Sequence, residues 1–181
     1  GSVVLYPSDA VSTERLVEVA VAHHGMVYIR TTRMDTPILY GATEKFKIGG
    51  HKVLRKSEKD VITVIAAGVT IHEALKAYEE LQQQGISVRV IDLYSVKPIN
   101  EKEFLKSLNG VSIVVTVEDH YIRGGLGETV ACMLSSRRIP TYCMGVKKEP
   151  HSGTTQELLD YEEISAAAII KMVKEVIYQM F

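Results

Sequence analysis

Residues 61–67 read Val-Ile-Thr-Val-Ile-Ala-Ala and stop at Gly68. A strand with one solvated face alternates apolar and polar side chains. A run this continuous is therefore expected of a strand covered on both faces, as in parallel sheets with helices above and below. Thr70 then leads into a pattern with Ala74, Leu75, Tyr78 and Leu81 on one helical face, closed by Gly85. The unit recurs down the chain. Val88, Val90 and Ile91 read as a strand, and Pro98 precedes a short helix around Phe104 and Leu108. Residues 113–117 are a third buried strand, Gly124-Gly125-Leu126-Gly127 opens a helix through Met133, and residues 141–144 are a fourth strand. A last helix carries Ile169, Met172, Val173, Val176, Ile177 and Met180 on its inner face. Strands and helices alternating at this spacing predict right-handed βαβ units. The expected fold class is α/β, an open, mainly parallel twisted sheet with helices on both faces.

The first third of the chain is organised differently. Val3-Val4-Leu5-Tyr6 reads as a strand, and Pro7-Ser8-Asp9 turns into a helix for which Ser8 and Asp9 are both credible caps. Leu16, Val19 and Ala20 recur at helical spacing to about His24, where Gly25 is placed to stop the helix. Residues 26–29 form the next strand, ending at Arg30-Thr31-Thr32-Arg33. From residue 34 to 59 the pattern weakens, punctuated by Pro37, Gly41, Gly49 and Gly50 and by a charged run over residues 55–60. This is the expected boundary, dividing the chain into 1–57 and 58–181. Gly1-Ser2 before an apolar strand reads as a cloning or protease scar on a piece of something longer.

Composition narrows the function classes. A formal net charge of −1 over 181 residues, with Lys and Arg scattered, argues against nucleic acid as a partner. No apolar stretch is long enough to cross a bilayer. Cys132 and Cys143 make neither a metal-ligand spacing nor a disulfide framework, and isolated cysteines fit a reducing cytoplasm. His23-His24 ends a helix, where imidazole suits the negative pole, and His51, His72 and His151 are scattered. No metal site is expected.

Open parallel sheets bind ligands past the carboxyl ends of their strands. Three loops fall there: Gly68-Val69-Thr70, Glu118-Asp119-His120 and Gly124 to Gly127. The glycine loop could hold an anion on free N–H groups, as in a non-enzymatic nucleotide-binding or assembly module, or could be a tight turn that seats a helix. Glu118, Asp119 and His120 alternate in direction along an extended segment, so they are not expected to converge on one substrate. Arg30 and Arg33 follow a buried-looking strand, and a guanidinium fork suits a phosphate. Against that stands simple pairing with a surface carboxylate such as Asp35 or Glu44.

These blocks, in order, resemble a known family. Tyr6-Pro7-Ser8-Asp9 and Tyr28-Ile29-Arg30-Thr31-Thr32-Arg33 are similar to the end of the pyrimidine-binding domain of transketolases. The segment from Val64 to Leu75, then Val90-Ile91-Asp92, Lys97-Pro98-Ile99, Thr116-Val117-Glu118-Asp119-His120-Tyr121 and Gly124-Gly125-Leu126-Gly127-Glu128, resembles their C-terminal domain. Residues 1–57 would then be the remnant of the first domain and 58–181 the second. Ala10 departs from the family, where many relatives have Gly after Ser-Asp. Deoxyxylulose-phosphate synthases and 2-oxoacid dehydrogenase β-chains share the fold with different residues at these blocks and are the alternatives.

The resemblance implies a cytoplasmic, homodimeric transferase of the pentose phosphate pathway. Such an enzyme uses thiamine diphosphate and a divalent metal, Mg or Ca, to move a two-carbon ketol unit between sugar phosphates. The family's cofactor-gripping and catalytic residues lie upstream of this segment, so no cofactor is expected on it and the missing N-terminal part is an expected partner. One role carries over: Arg33 matches the family's contact to the substrate's terminal phosphate, while Arg30 is expected to be structural. The C-terminal domain would contribute dimer contacts.

Overall fold

The computed structural model describes residues 1–149 and 151–179. Met180, assigned above to the inner face of the last helix, lies outside them. In chain order the elements are β1 (Val3–Leu5), α1 (Ala10–Val21), β2 (Val27–Ile29), β3 (Lys52–Arg55), β4 (Ile62–Ala66), α2 (Val69–Gln83), β5 (Val88–Asp92) and β6 (Ser95–Lys97). There follow α3 (Glu101–Ser107), β7 (Ile113–Tyr121), α4 (Leu126–Leu134), β8 (Thr141–Val146), α5 (Thr155–Tyr161) and α6 (Ala166–Tyr178).

The apolar run around residue 64 becomes the central strand of a five-stranded sheet ordered β3-β5-β4-β7-β8. β5 and β7 flank β4 in parallel, β8 joins β7 in parallel, and only β3 runs antiparallel, at one edge. Every residue of β4 is buried. Its alternate side chains feed two separate cores: Val64 packs with Ile71, Val115, Ile169 and Val173, and Ile65 packs with Ile91, Phe104, Val114 and Val130. So α2 and α6 cover one face and α3 and α4 the other. Each fully buried Val, Leu or Ile contributes roughly 1.5–3 kcal/mol of transfer free energy, and this two-sided burial is what the unbroken run encodes.

A second, three-stranded sheet has the order β2-β1-β6. β1 and β2 are parallel, and β6, from the far side of the chain, closes the sheet antiparallel to β1. Its inner face, Val3, Leu5, Val27 and Ile29, packs on Leu16 of α1 and on Tyr40, Phe46 and Tyr94. Tyr28 points the other way and is exposed, as is Met26 just before the strand. The two sheets therefore interlock across position 57. β3 precedes it yet belongs to the five-stranded sheet, and β6 follows it yet belongs to the three-stranded one.

Two further differences have local causes. Glu118-Asp119-His120, expected as a loop, lies inside β7, because pairing with β8 resumes at Tyr121 and Val146 after a register shift. Asp9 and Ser12 form a reciprocal capping box at the start of α1, with Ser12 in place of the usual Glu or Gln. Asp9 also accepts the backbone N–H groups of Leu39 (2.7 Å) and Tyr40 (3.0 Å), so one carboxylate holds both the helix and the returning loop.

The seam between the sheets is polar and buried. Asp92, at the end of β5, is fully buried, and its Oδ2 accepts the hydroxyls of Tyr40 (2.6 Å) and Ser8 (2.7 Å). His72 donates from Nε2 to the Ser8 carbonyl oxygen at 2.7 Å, since a carbonyl can only accept. Burial pushes the Asp92 carboxyl from its ordinary 3.8 up to about 7, with the two hydroxyl donors opposing the rise. The folded value lies above the unfolded one. Asp92 therefore contributes most below about pH 4, and that contribution is lost as pH rises through about 7, to an extent on the order of 4 kcal/mol. Asp92→Asn keeps an acceptor for the hydroxyls and removes the titration, so urea midpoints of the variant should fall less between pH 4 and 7 than those of the parent. Identical pH profiles would show that Asp92 titrates as an ordinary carboxylate.

Candidate functional site

β1, β2, β4, β7 and β8 all direct their carboxyl ends to one cleft of about 700 Å³. Tyr6, Arg30, Thr32, Arg33 and Met34 form one wall. Asp119, His120 and Tyr121 form the opposite one, with His151 at the rim. Val69, Val146, Leu158, Leu159 and Ile164 supply an apolar floor. The site thus lies between the two sheets, at the end where parallel strands place function.

The two arginines have different surroundings. Arg30 Nη2 donates to Asp119 Oδ2 at 2.7 Å and to the Asp119 carbonyl oxygen at 3.0 Å, and its guanidinium lies 4.6 Å from the centre of the Tyr6 ring. The Tyr6 phenol donates to the same Oδ2 at 2.9 Å. Burial, then the adjacent Asp119 charge, raises the Tyr6 phenol far above its ordinary value, so it stays a donor. Tyr6 in turn rests on Gly68. That residue has φ +58°, and a Cβ there would come within 2.0 Å of the ring, so only glycine lets ring and α2 meet. Arg33 is exposed on the cleft wall and, among the described residues, makes no ion pair or side-chain hydrogen bond. Neither Asp35 nor Glu44 takes up an arginine, and Glu44 pairs with Lys52 instead.

Glu118, Asp119 and His120 separate as their alternation requires. Glu118 points away from Asp119 and accepts the backbone N–H groups of Leu126 and Gly127, both at 2.8 Å. It fills the positive N-terminus of α4, with burial raising its carboxyl and those two donors lowering it. Glu128 takes the N–H of Gly124 at 2.7 Å. The donors that an incoming anion would need on the glycine loop are thus already taken, Gly124, Leu126 and Gly127 by carboxylates and Gly125 by the Ile122 carbonyl oxygen. Gly125 and Gly127 are required for this approach, since a Cβ at Gly125 would lie 2.0 Å from Glu118 Oε2 and one at Gly127 2.7 Å from Thr116 Oγ1. The nucleotide-binding alternative for this loop loses its physical basis. His120 is exposed, with Nδ1 2.7 Å from the Tyr121 carbonyl oxygen, and His151 stands against Tyr161 at 4.2 Å between ring centres. Sequence reasoning placed the Gly68 loop at this end of the sheet but singled out neither Tyr6, which rests on it, nor the use of Glu118 as an internal cap. A carboxylate shortly before a glycine-rich helix start is the one available signal for the cap.

The chain's residues do not fit a metal–diphosphate group. No three His, Cys, Asp or Glu side chains converge as metal ligands among the described residues, and the helix N-terminus that could cradle a diphosphate is filled by Glu118. No helix is long and apolar enough to cross a membrane.

A three-layered α/β domain, its mainly parallel sheet between two helical layers, meets an interlocked smaller sheet at the cleft, and this defines the class. The family model "Transketolase, C-terminal domain" matches residues 51–169, and the chain belongs to that family. It is 49% identical over 176 residues to transketolase-like protein 2 of Mus musculus, covering 96% of this chain and 28% of the relative. Transketolase of Homo sapiens is 42% identical over 178 residues, covering 97% of this chain and 29% of the relative. The chain thus spans under a third of the length of these relatives. A solved structure described as a split gene transketolase, inactive beta4 tetramer, superposes with a TM-score of 0.90 at 34% identity, covering 96% of this chain and 57% of that one.

Glu118→Ala should cost about 2–4 kcal/mol, because two buried N–H donors lose their acceptor. Urea unfolding combined with amide exchange of Leu126 and Gly127 checks it. Exchange as slow as in the parent would show that the carboxylate is dispensable at the start of α4.

Proposed function

We propose that this chain is the C-terminal part of a transketolase. The whole enzyme would transfer a two-carbon ketol unit between sugar phosphates in the pentose phosphate pathway, using thiamine diphosphate and a divalent cation. Cofactor and metal are held by an upstream part, because the residues present here do not fit them. This chain supplies Arg33 to the terminal phosphate of the sugar, together with contacts that hold the assembly as a dimer or with its upstream partner. Unpaired Cys132 and Cys143 suit the reducing cytoplasm proposed as its location.

The observation that carries the phosphate role is Arg33 itself. It is a permanent cation at the carboxyl end of a parallel strand, on the wall of a cleft, with no protein partner among the described residues. Its neighbour Arg30 is paired with Asp119 through Nη2, which leaves Arg33 as the guanidinium of the two with no carboxylate beside it among the described residues. Support for dependence on further parts comes from relatives more than three times the length of this segment, and from a similar split-gene transketolase described as an inactive beta4 tetramer.

Purified alone, this chain should show neither ketol transfer nor thiamine diphosphate binding, and turnover by it would remove the requirement for an upstream part. In the complete enzyme, Arg33→Ala should cost about 2–4 kcal/mol of transition-state binding with phosphorylated sugars, mostly as a higher KM. Unchanged kinetics with those substrates would take the phosphate role from Arg33.

A further inference from the structure

We infer that Asp119 and Tyr6 are positioning residues for the phosphate-contacting Arg33, acting through Arg30; this rests on the reading of Arg33 given above. Arg33 is itself unpinned, and a guanidinium that must be ordered when its ligand arrives loses binding energy to that ordering. Arg30 stands three residues earlier, at most about 10 Å of chain away, so whatever fixes Arg30 restricts where Arg33 can go. Three contacts fix it: the Asp119 carboxylate at 2.7 Å, the Asp119 carbonyl at 3.0 Å and the face of Tyr6 at 4.6 Å. The Tyr6 phenol locks the carboxylate in turn, at 2.9 Å.

The same pair has an electrostatic consequence. Asp119 lines the cleft and, unpaired, would repel a phosphate; bound to Arg30 its charge is neutralised where it stands. The pairing cancels the charge of Arg30 as well as that of Asp119, so what favours a phosphorylated ligand is the aim given to Arg33, and an unphosphorylated ligand is left nearly untouched. The role of the five-stranded sheet at this site is therefore to aim, through Asp119 of β7, an arginine carried by the three-stranded one.

The test uses the complete enzyme, this chain with its upstream part, with ribose 5-phosphate and ribose as acceptors. Asp119→Asn should raise KM for ribose 5-phosphate about 10-fold at unchanged kcat, with KM for ribose unmoved. Asp119→Glu, which retains the charge, should recover part of the loss. In an Arg33→Ala background Asp119→Asn should add little, as expected of residues acting as a unit. If Asp119→Asn folds poorly, Tyr6→Phe keeps the ring under Arg30, removes the phenol's hydrogen bond, and should raise the same KM about 2- to 3-fold. Equal losses with ribose and ribose 5-phosphate overturn the inference, because they report general damage. An effect of Arg33→Ala with none from Asp119→Asn or Tyr6→Phe overturns the positioning role alone. No effect of Arg33→Ala overturns the phosphate reading and the inference with it.

Discussion

A carboxyl group with no access to water, Asp92, sits where the two sheets meet, and the arrangement of the molecule follows from how its Oδ2 is satisfied. Two hydroxyls reach it, one from the turn that opens α1 and one from the loop that returns toward β3. Removing either would leave a buried acceptor short of a partner, which costs more than a hydrogen bond between neutral groups ordinarily contributes. The loop over residues 34–51, nearly devoid of regular structure, is thereby tied to the seam through Tyr40 and, at Leu39 and Tyr40, to Asp9. β1 and β2 are in turn fixed against the end of β5, and the cleft exists because they are.

Carboxylates recur as fasteners elsewhere. Glu118 holds the start of α4, and Glu73 accepts the N–H of Ala166 at the start of α6 at 2.8 Å. Glu162 takes the N–H groups of Lys147 and Lys148 after β8. Each is a side chain from one element meeting backbone donors of another, so tertiary contacts satisfy helix and loop ends that local caps leave open. A glycine-rich segment beside such a fastener is explained by space, not by ligand binding.

Much of the fold was legible in the residues because burial on both faces leaves an unmistakable run, as at residues 61–67. β3 was not, because an edge strand carries Lys52 and Arg55 and needs no apolar face toward a neighbour. α5 was missed for a related reason: seven residues opened by Thr154 and rich in polar side chains show too little periodicity. The site was half legible. Arg30 and Arg33 stood out by type and place, and alternation separated Glu118 from Asp119. Which arginine is bound and which is free depends on a contact 89 positions away in sequence, and no local pattern encodes that.

The open margin of β2 has a practical side. Its outer backbone groups have no strand beside them among the described residues, and Met26 and Tyr28 add exposed apolar surface next to them. An unpaired edge offers hydrogen-bonding groups to an extended peptide, and the three-residue length of β2 limits how much of one it can hold.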